Sequence, residues 1–290
     1  MRADMTATNG SGESSDGNPR GSRPNIWAWA AVGHIDGDGR RCTDSAQIAL
    51  SIAAVSVNEA YPMAIADRID LMRAAVLKLA ARLEGKPSLW VYPAGYFGFD
   101  AAAFARGDEA AAWPGLDRGA VEERLTHIVN AHPAGAWVAF GVDASGEPQE
   151  AWIVRAVRSG AAPERHTIQR DITLLDDRSF NLVPGGLNTA FFVCGEIAGY
   201  KGQLSSCRLV VDLAHVRVPG TVWSDHEGSR MMHQRGLTRV AAHGAAVLTH
   251  HHAGQLTKVE NPRFEQQSNW ILFRGDGTDW VASTEVEVIP

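Results

Sequence analysis

Two spacings of apolar residues recur along the chain, and together they predict a mixed α/β protein. Apolar positions at helical spacing over residues 67–83 and 117–131 predict two amphipathic helices. Short continuous apolar runs bounded by Gly, Pro, Asn or Asp predict strands that are covered on both faces. These runs are residues 26–33, 48–57, 88–92, 136–142, 150–157, 188–193 and 207–214. Residues 166–175, where apolar and polar residues alternate in part, predict one more strand.

In the last third of the chain, the sequence again predicts both a helix and strands. Residues 228–242 are helical by pattern, residues 245–254 read as a strand and loop, and residues 269–273 and 279–282 predict a closing hairpin. Residues 1–24 are rich in Gly, Ser, Asn, Asp and Arg without an apolar segment, so we expect a disordered tail there. We expect residues 25–290 to form one domain.

Composition narrows the classes of partner and compartment. The 290 residues are 45% hydrophobic and 21% charged, with a net charge of −6, which predicts no nucleic-acid and no membrane-surface partner. No apolar run approaches the roughly 20 residues of a membrane span. The three cysteines are too few and too scattered for a disulfide framework, which favours a reducing compartment and a cytoplasmic location.

The strand at residues 188–193 ends at a single cysteine. Cys194 is followed by Gly195 and Glu196, a pattern typical of a sharp turn at the carboxyl end of a strand. Open α/β sheets bind their ligands at that edge, so Cys194 is a candidate nucleophile. The alternative is an inert, buried cysteine that packs as a small hydrophobe.

The order of these elements resembles the carbon–nitrogen hydrolase (nitrilase) superfamily over about residues 48–282, and Cys194 with Glu196 is its sharpest motif match. The resemblance implies a four-layer α-β-β-α sandwich and cleavage of a small amide or nitrile through a cysteine thioester. It also implies no cofactor and a homo-oligomer of paired subunits.

The family mechanism uses a Glu that takes the thiol proton and a Lys that stabilises the oxyanion. After Pro93, where the resemblance would place that Glu, the chain has Ala94, and the nearest cation to the Lys position is Arg170. The resemblance thus implies Cys194, Arg170 and Glu196 as catalytic residues. Glu196, Glu59 or a histidine would have to replace the missing base.

Four residues are candidates for contact with substrate: Tyr96, Gly195, His250 and His252. His250 and His252 share one face of the predicted strand, but no third ligand lies at zinc spacing, so we predict no metal site. Two functions remain open at this point. One is hydrolysis of a small-molecule amide or nitrile; the other is a catalytically impaired member of the fold that serves as a binding or assembly subunit.

Overall fold

A computed structural model describes residues 28–57, 64–157, 162–171, 184–200, 207–216, 245–251, 269–272 and 285–288. Eleven strands lie within these ranges. They are β1 (Ala28–Ile35), β2 (Leu50–Val57), β3 (Ser88–Val91), β4 (Trp137–Val142), β5 (Glu150–Arg155), β6 (Glu164–Gln169), β7 (Thr189–Val193), β8 (Leu209–Val216), β9 (Ala245–His251), β10 (Asn269–Leu272) and β11 (Glu285–Val288).

The strands form two sheets. The first has the order β11-β1-β2-β3-β4-β5-β6, with β2, β3 and β4 parallel and the outer pairs antiparallel. The second has the order β10-β9-β8-β7, with β7, β8 and β9 parallel. Parallel neighbours end at the same edge, so each sheet has an edge at which several carboxyl-terminal strand ends lie side by side.

The two sheets pack face to face through an apolar core. Alternate residues of β4 illustrate how the chain builds it: Trp137 and Ala139 face the second sheet, where Phe191 and Val211 lie in the same cluster. Val138 and its neighbours in alternation face the helical side. Because both faces of the central strands are covered, they read in sequence as continuous apolar runs.

Six helices surround this core in the described part of the chain. They are α1 (Ile65–Leu79, continued by a 3-10 turn over Ala80–Leu83), α2 (Ala101–Ala105), α3 (Glu109–Ala112), α4 (Arg118–Glu123), α5 (Leu125–Asn130) and α6 (Glu196–Gly199). The apolar faces of α1 and α5 pack on the outer face of the first sheet. Within the described ranges, no helix has both the length and the apolar character needed to cross a bilayer.

The predicted mixed α/β class is confirmed, and most of the predicted elements lie within a few residues of their expected positions. The helix expected over residues 117–131 is divided into α4 and α5 at Arg124. The described residues contain an α-β-β arrangement of layers, and the helix predicted over residues 228–242 lies outside them. The tail expected over residues 1–24 also lies outside the described residues.

The strands near the C-terminus belong to different sheets. β10 pairs with β9 in the second sheet, and β11, for which no strand was predicted, pairs with β1 in the first sheet. The other strand expected for the hairpin, residues 279–282, lies outside the described residues. β11 lies at the edge of the first sheet, beside β1.

Candidate active site

Cys194 lies directly after β7, at the edge where β7 and β8 both end. Its backbone N–H donates to the carbonyl of Leu213 in β8 at 2.8 Å, which continues the parallel ladder by one residue. Gly195 then adopts a φ of 83°, a left-handed conformation that glycine reaches without steric cost, and the chain turns into α6. This turn leaves Cys194 half-buried at the end of the sheet.

Glu196 stabilises the turn from behind. Its carboxylate accepts a hydrogen bond from the backbone N–H of Val193 at 2.6 Å and another from the backbone N–H of Asp171. The side chain is 2% exposed, so these N–H groups compensate for much of the cost of burying a carboxylate. Glu196 thereby joins the end of β7 to the segment that follows β6.

A histidine and an aspartate lie beside the thiol. His215, near the end of β8, is near enough to Cys194 to lower the pKa of its thiol. Its Nε2 atom lies 2.5 Å from Oδ2 of Asp143, the first residue after β4. Both the imidazole and the carboxylate are buried. Cys194 and His215 come from the second sheet, whereas Asp143 comes from the first.

The charges in this cluster favour a thiolate beside an imidazolium. Burial alone lowers the pKa of His215, but the Asp143 carboxylate and Cys194 outweigh it and raise that pKa to about 10. Burial raises the pKa of the Cys194 thiol, but His215 and Arg170 outweigh this effect and bring the pKa below its ordinary value. At neutral pH the pair therefore carries a positive imidazole next to a thiol that ionises readily.

Arg170 supplies a second cation at the thiol. It follows β6, and its Nε atom donates to the backbone carbonyl of Cys194 at 2.7 Å. A terminal nitrogen of the same guanidinium lies 3.6 Å from the position that a Cβ on Gly195 would occupy. Arg170, Cys194, Gly195 and Glu196, which the sequence grouped as site residues, are thus neighbours in the structure.

Gly95 provides the space in which His215 and Asp143 meet. A Cβ at this position would lie 2.8 Å from Cδ2 of His215 and 2.9 Å from Oδ2 of Asp143. Its φ of 59° is also in the left-handed region. The preceding Ala94 is buried in the core between the sheets, in the cluster against which Cys194 packs. The segment where the family resemblance would place a Glu therefore carries two small residues, and the histidine–aspartate pair lies beside it.

Aromatic rings enclose the imidazole. The ring of Phe99 meets that of His215 edge-on at 4.9 Å between centroids, and the ring of Trp113 lies 6.5 Å away. The indole Nε1 of Trp113 donates to Oδ2 of Asp143 at 3.1 Å. Asp143 Oδ2 thus accepts from the indole while it bonds to the imidazole.

Tyr96 was expected to contact substrate, but the structure places it elsewhere. Its hydroxyl donates to the backbone carbonyl of Arg68 in α1 at 2.6 Å, and its ring packs on Tyr92 and Phe97. The side chain is fully buried in the core between the first sheet and the helices. Along this loop, Phe99 packs on His215, whereas Tyr96 faces α1.

The histidines at residues 250–252 are only partly described. The backbone of β9 runs to His251, which is paired with Val216 at the end of β8, so His250 and His251 lie at the edge that carries His215. His252 lies outside the described residues. Among the side chains that the structure describes, no group of three or more His, Cys, Asp or Glu is arranged to hold a metal ion.

His215 and Asp143 were not singled out from the sequence, although a signal was present. The apolar run at residues 207–214 is followed at once by His215, and the run at residues 136–142 is followed at once by Asp143. Both are titratable residues at carboxyl ends of strands, the same position that drew attention to Cys194. What the sequence could not supply is the packing of the two sheets, which brings these strand ends together.

Several solved structures have a similar chain course. A carbon–nitrogen hydrolase from Helicobacter pylori G27 matches with a TM-score of 0.44 and 9% identity, over 79% of this chain and 87% of that one. A glutamine-dependent NAD+ synthetase from Acinetobacter baumannii matches with a TM-score of 0.41 and 9% identity, over 89% of this chain and 43% of that one. An N-terminal amidase matches with a TM-score of 0.31 and 11% identity, over 74% and 55%.

Each of these matches is a partial likeness in chain course, at identities of 9 to 11%. No protein-family model and no curated protein sequence matches the chain.

Proposed function

We propose that this protein is a hydrolase that cleaves a small amide or nitrile through a thioester on Cys194. In this proposal His215 donates and accepts the proton, and Asp143 orients His215. The observation that supports the proposal is the cluster at the strand ends, where half-buried Cys194 lies beside His215 and Nε2 of His215 is hydrogen-bonded to Oδ2 of Asp143. A nucleophile, a base within hydrogen-bond reach and a third group that orients the base are the parts that covalent catalysis needs.

In the proposed reaction of an amide, the Cys194 thiolate attacks the carbonyl carbon and forms a C–S bond. The imidazolium of His215 then gives its proton to the leaving nitrogen as the C–N bond breaks, which releases the amine and leaves a thioester. Water attacks the thioester while the neutral imidazole takes its proton. The products are a carboxylic acid and the restored thiolate–imidazolium pair.

A nitrile enters the same cycle one step earlier. The thiolate adds to the nitrile carbon, and the His215 proton goes to nitrogen, which gives a thioimidate. One water adds to this adduct, and loss of ammonia gives the thioester, which a second water hydrolyses as before.

Arg170 and Glu196 have distinct proposed roles. The guanidinium of Arg170 is a fixed cation with several donors, and its contact with the Cys194 carbonyl holds it where negative charge develops on the substrate oxygen. The Glu196 carboxylate accepts two backbone N–H groups, which supports a role in holding the turn. The geometry therefore favours His215 over Glu196 as the proton acceptor.

The competing interpretation, an impaired binding or assembly subunit, relied on Ala94 and on the absence of a Lys. A positioned general base contributes typically about 10²- to 10⁴-fold in rate, so its loss would matter. His215 with Asp143 supplies such a base from a different part of the chain, and Arg170 supplies a cation. Homo-oligomerisation and a cytoplasmic location stay predictions from the sequence.

Purified protein incubated with a panel of small amides and nitriles tests the proposal. We expect release of ammonia or amine and a covalent adduct on Cys194 in intact-mass spectra after rapid acid quenching. Cys194→Ala should abolish both signals, and His215→Asn should slow turnover about 10²-fold or more. Cys42→Ala is the matched control, since Cys42 is a buried free thiol that donates to a backbone carbonyl.

A wild-type thiol that alkylates at neutral pH no faster than an ordinary cysteine, together with no turnover across the panel, would exclude this chemistry. Turnover that survives Cys194→Ala would exclude Cys194 as the nucleophile.

A further inference from the structure

Trp113 is placed by a compact helical hairpin directly over the buried carboxylate. It follows α3, whose first turn is capped by Asp108, while Asp100 caps α2. The backbone N–H of Asp100 donates to the carbonyl of Ala112 at 2.9 Å, which joins the two short helices just before Trp113. The indole is 36% exposed, yet its N–H is directed inward to Asp143.

The two oxygens of Asp143 have unequal surroundings. Oδ2 bonds to Nε2 of His215 at 2.5 Å and accepts from Nε1 of Trp113 at 3.1 Å. Oδ1 is buried and has no hydrogen-bond partner within the part of the chain that the structure describes. A rotation about the Cβ–Cγ bond that moved Oδ2 away from its two partners would break both hydrogen bonds at once. The indole N–H therefore helps to hold the carboxylate plane in the orientation that meets the imidazole.

We propose that Trp113 is a positioning residue: its N–H orients the Asp143 carboxylate so that His215 stays aligned with the Cys194 thiol. This inference rests on the proposed function, because it assigns Trp113 a role in the same site. Trp113 is not a catalytic residue in this scheme, since it acts through Asp143.

The ionisable groups near the imidazole come from three strand ends, those of β4, β6 and β7. Asp143 from the end of β4 and Cys194 from the end of β7 both raise the pKa of His215. Arg170 from the end of β6 acts on the thiol, and Glu196 lies behind the turn with its carboxylate on backbone N–H groups. Phe99 and Trp113 contribute uncharged rings. A change at Trp113 therefore reaches the thiol through Asp143.

The pH dependence of Cys194 alkylation by iodoacetamide, followed by peptide mass, tests the proposal without any substrate. Trp113→Phe keeps an aromatic ring and removes the N–H donor. We expect its thiolate titration to move to higher pH, so that alkylation at pH 6 slows roughly three- to tenfold, the effect of a shift of about half to one pKa unit. Once an amide is found that the wild type hydrolyses, kcat should fall while KM changes little.

Trp152→Phe is the matched control, because the Trp152 indole also donates to a buried carboxylate, Oε2 of Glu150, at 2.9 Å. Its alkylation profile should coincide with that of the wild type. A second pair of variants separates the donor from the ring: Trp113→Gln and Trp113→Leu have similar size, and only Gln has an N–H. We expect the Gln variant to stay closer to the wild-type profile than the Leu variant.

Coincident profiles for the wild type, Trp113→Phe and both members of the second pair, with a shifted profile for Asp143→Asn, would overturn the role of Trp113 and leave the proposed function intact. A wild-type thiol that titrates at about 8.5, the value of an ordinary cysteine, would instead remove the charged pair on which the proposed function depends.

Discussion

At the scale of single residues, the site depends on a position that has no side chain. Gly95 lies where a methyl group would meet Cδ2 of His215 at 2.8 Å, Oδ2 of Asp143 at 2.9 Å and Cβ of Phe99 at 2.5 Å. Each of these distances is shorter than a normal nonbonded contact. The imidazole and the carboxylate can therefore approach each other only while residue 95 is glycine.

We predict that Gly95→Ala destabilises the protein and disrupts the charged pair. The left-handed φ costs about 1–2 kcal/mol for alanine, and the steric conflict adds about 1–3 kcal/mol. Urea unfolding should show a loss of unfolding free energy equal to the sum of these two costs. The Cys194 alkylation rate at pH 6 should fall because His215 is displaced. The control is Gly135→Ala, at a φ of 85° with no atom within 4 Å of the added methyl, which should cost only the backbone strain and leave alkylation unchanged. Equal alkylation profiles for both variants would contradict this prediction.

Local sequence could identify one member of the site but not the whole site. Cys194 stands out because it ends an apolar run and is followed by Gly195 and Glu196. His215 and Asp143 also follow apolar runs, but they are separated by 72 residues and belong to different sheets. Strand periodicity predicts strands and does not predict which strand ends meet, because the packing of the two sheets determines that contact.

At the scale of elements, the turn after β7 is held by a carboxylate. Glu196 accepts from the N–H of Val193 in β7 and from the N–H of Asp171 beyond β6. It thereby connects the turn that presents the thiol to the segment that presents Arg170. Chain pattern predicted β7 and the turn, whereas the contact with Asp171 depends on how the sheets pack.

We predict that Glu196→Gln lowers stability while the thiol still ionises readily. The amide NH₂ would face a backbone donor, which leaves a buried N–H without an acceptor at a cost of about 1–3 kcal/mol. Urea unfolding measures the loss, and hydrogen exchange at the amides of Val193 and Asp171 should accelerate. Glu122→Gln is the control, since Glu122 is an exposed partner of Arg165 and surface pairs contribute about 0–1 kcal/mol.

The two possible roles of Glu196 give opposite results in this experiment. If Glu196 were the general base, the Gln variant would lose most of its hydrolysis rate while its free energy of unfolding stayed near that of the wild type. Such a result would contradict the positioning role and make Glu196 a catalytic residue.

At the scale of the whole molecule, a second buried histidine makes folding sensitive to acid. Nε2 of His132 lies 2.9 Å from the hydroxyl of Tyr92, and its Nδ1 lies 2.8 Å from the carbonyl of Ile128. Burial lowers the pKa of His132 from 6.5 to about 4, with the Ile128 carbonyl opposing the shift. The unfolded chain therefore binds a proton between pH 6.5 and 4 that the folded chain does not.

We predict that this histidine removes stability as pH falls. Its contribution is present above pH 6.5 and is lost progressively down to pH 4, by about 3 kcal/mol in total. Urea unfolding of the wild type and of His132→Asn across this pH range should show that the free energy of unfolding falls less steeply with decreasing pH in the variant. His127→Asn, on the exposed face of α5, is the control and should keep the wild-type slope. Parallel slopes for all three proteins would contradict the prediction.

The division of the site between the sheets gives the thiol a further use. Asp143 and Arg170 follow strands of the first sheet, while Cys194 and His215 belong to the second. The low pKa of the thiol depends on His215, and the charge of His215 depends on Asp143 across the interface between the sheets. We therefore expect alkylation faster than that of an ordinary cysteine only from the assembled interface, and from neither sheet alone. Pulsed alkylation during refolding would time the moment at which the two sheets come together.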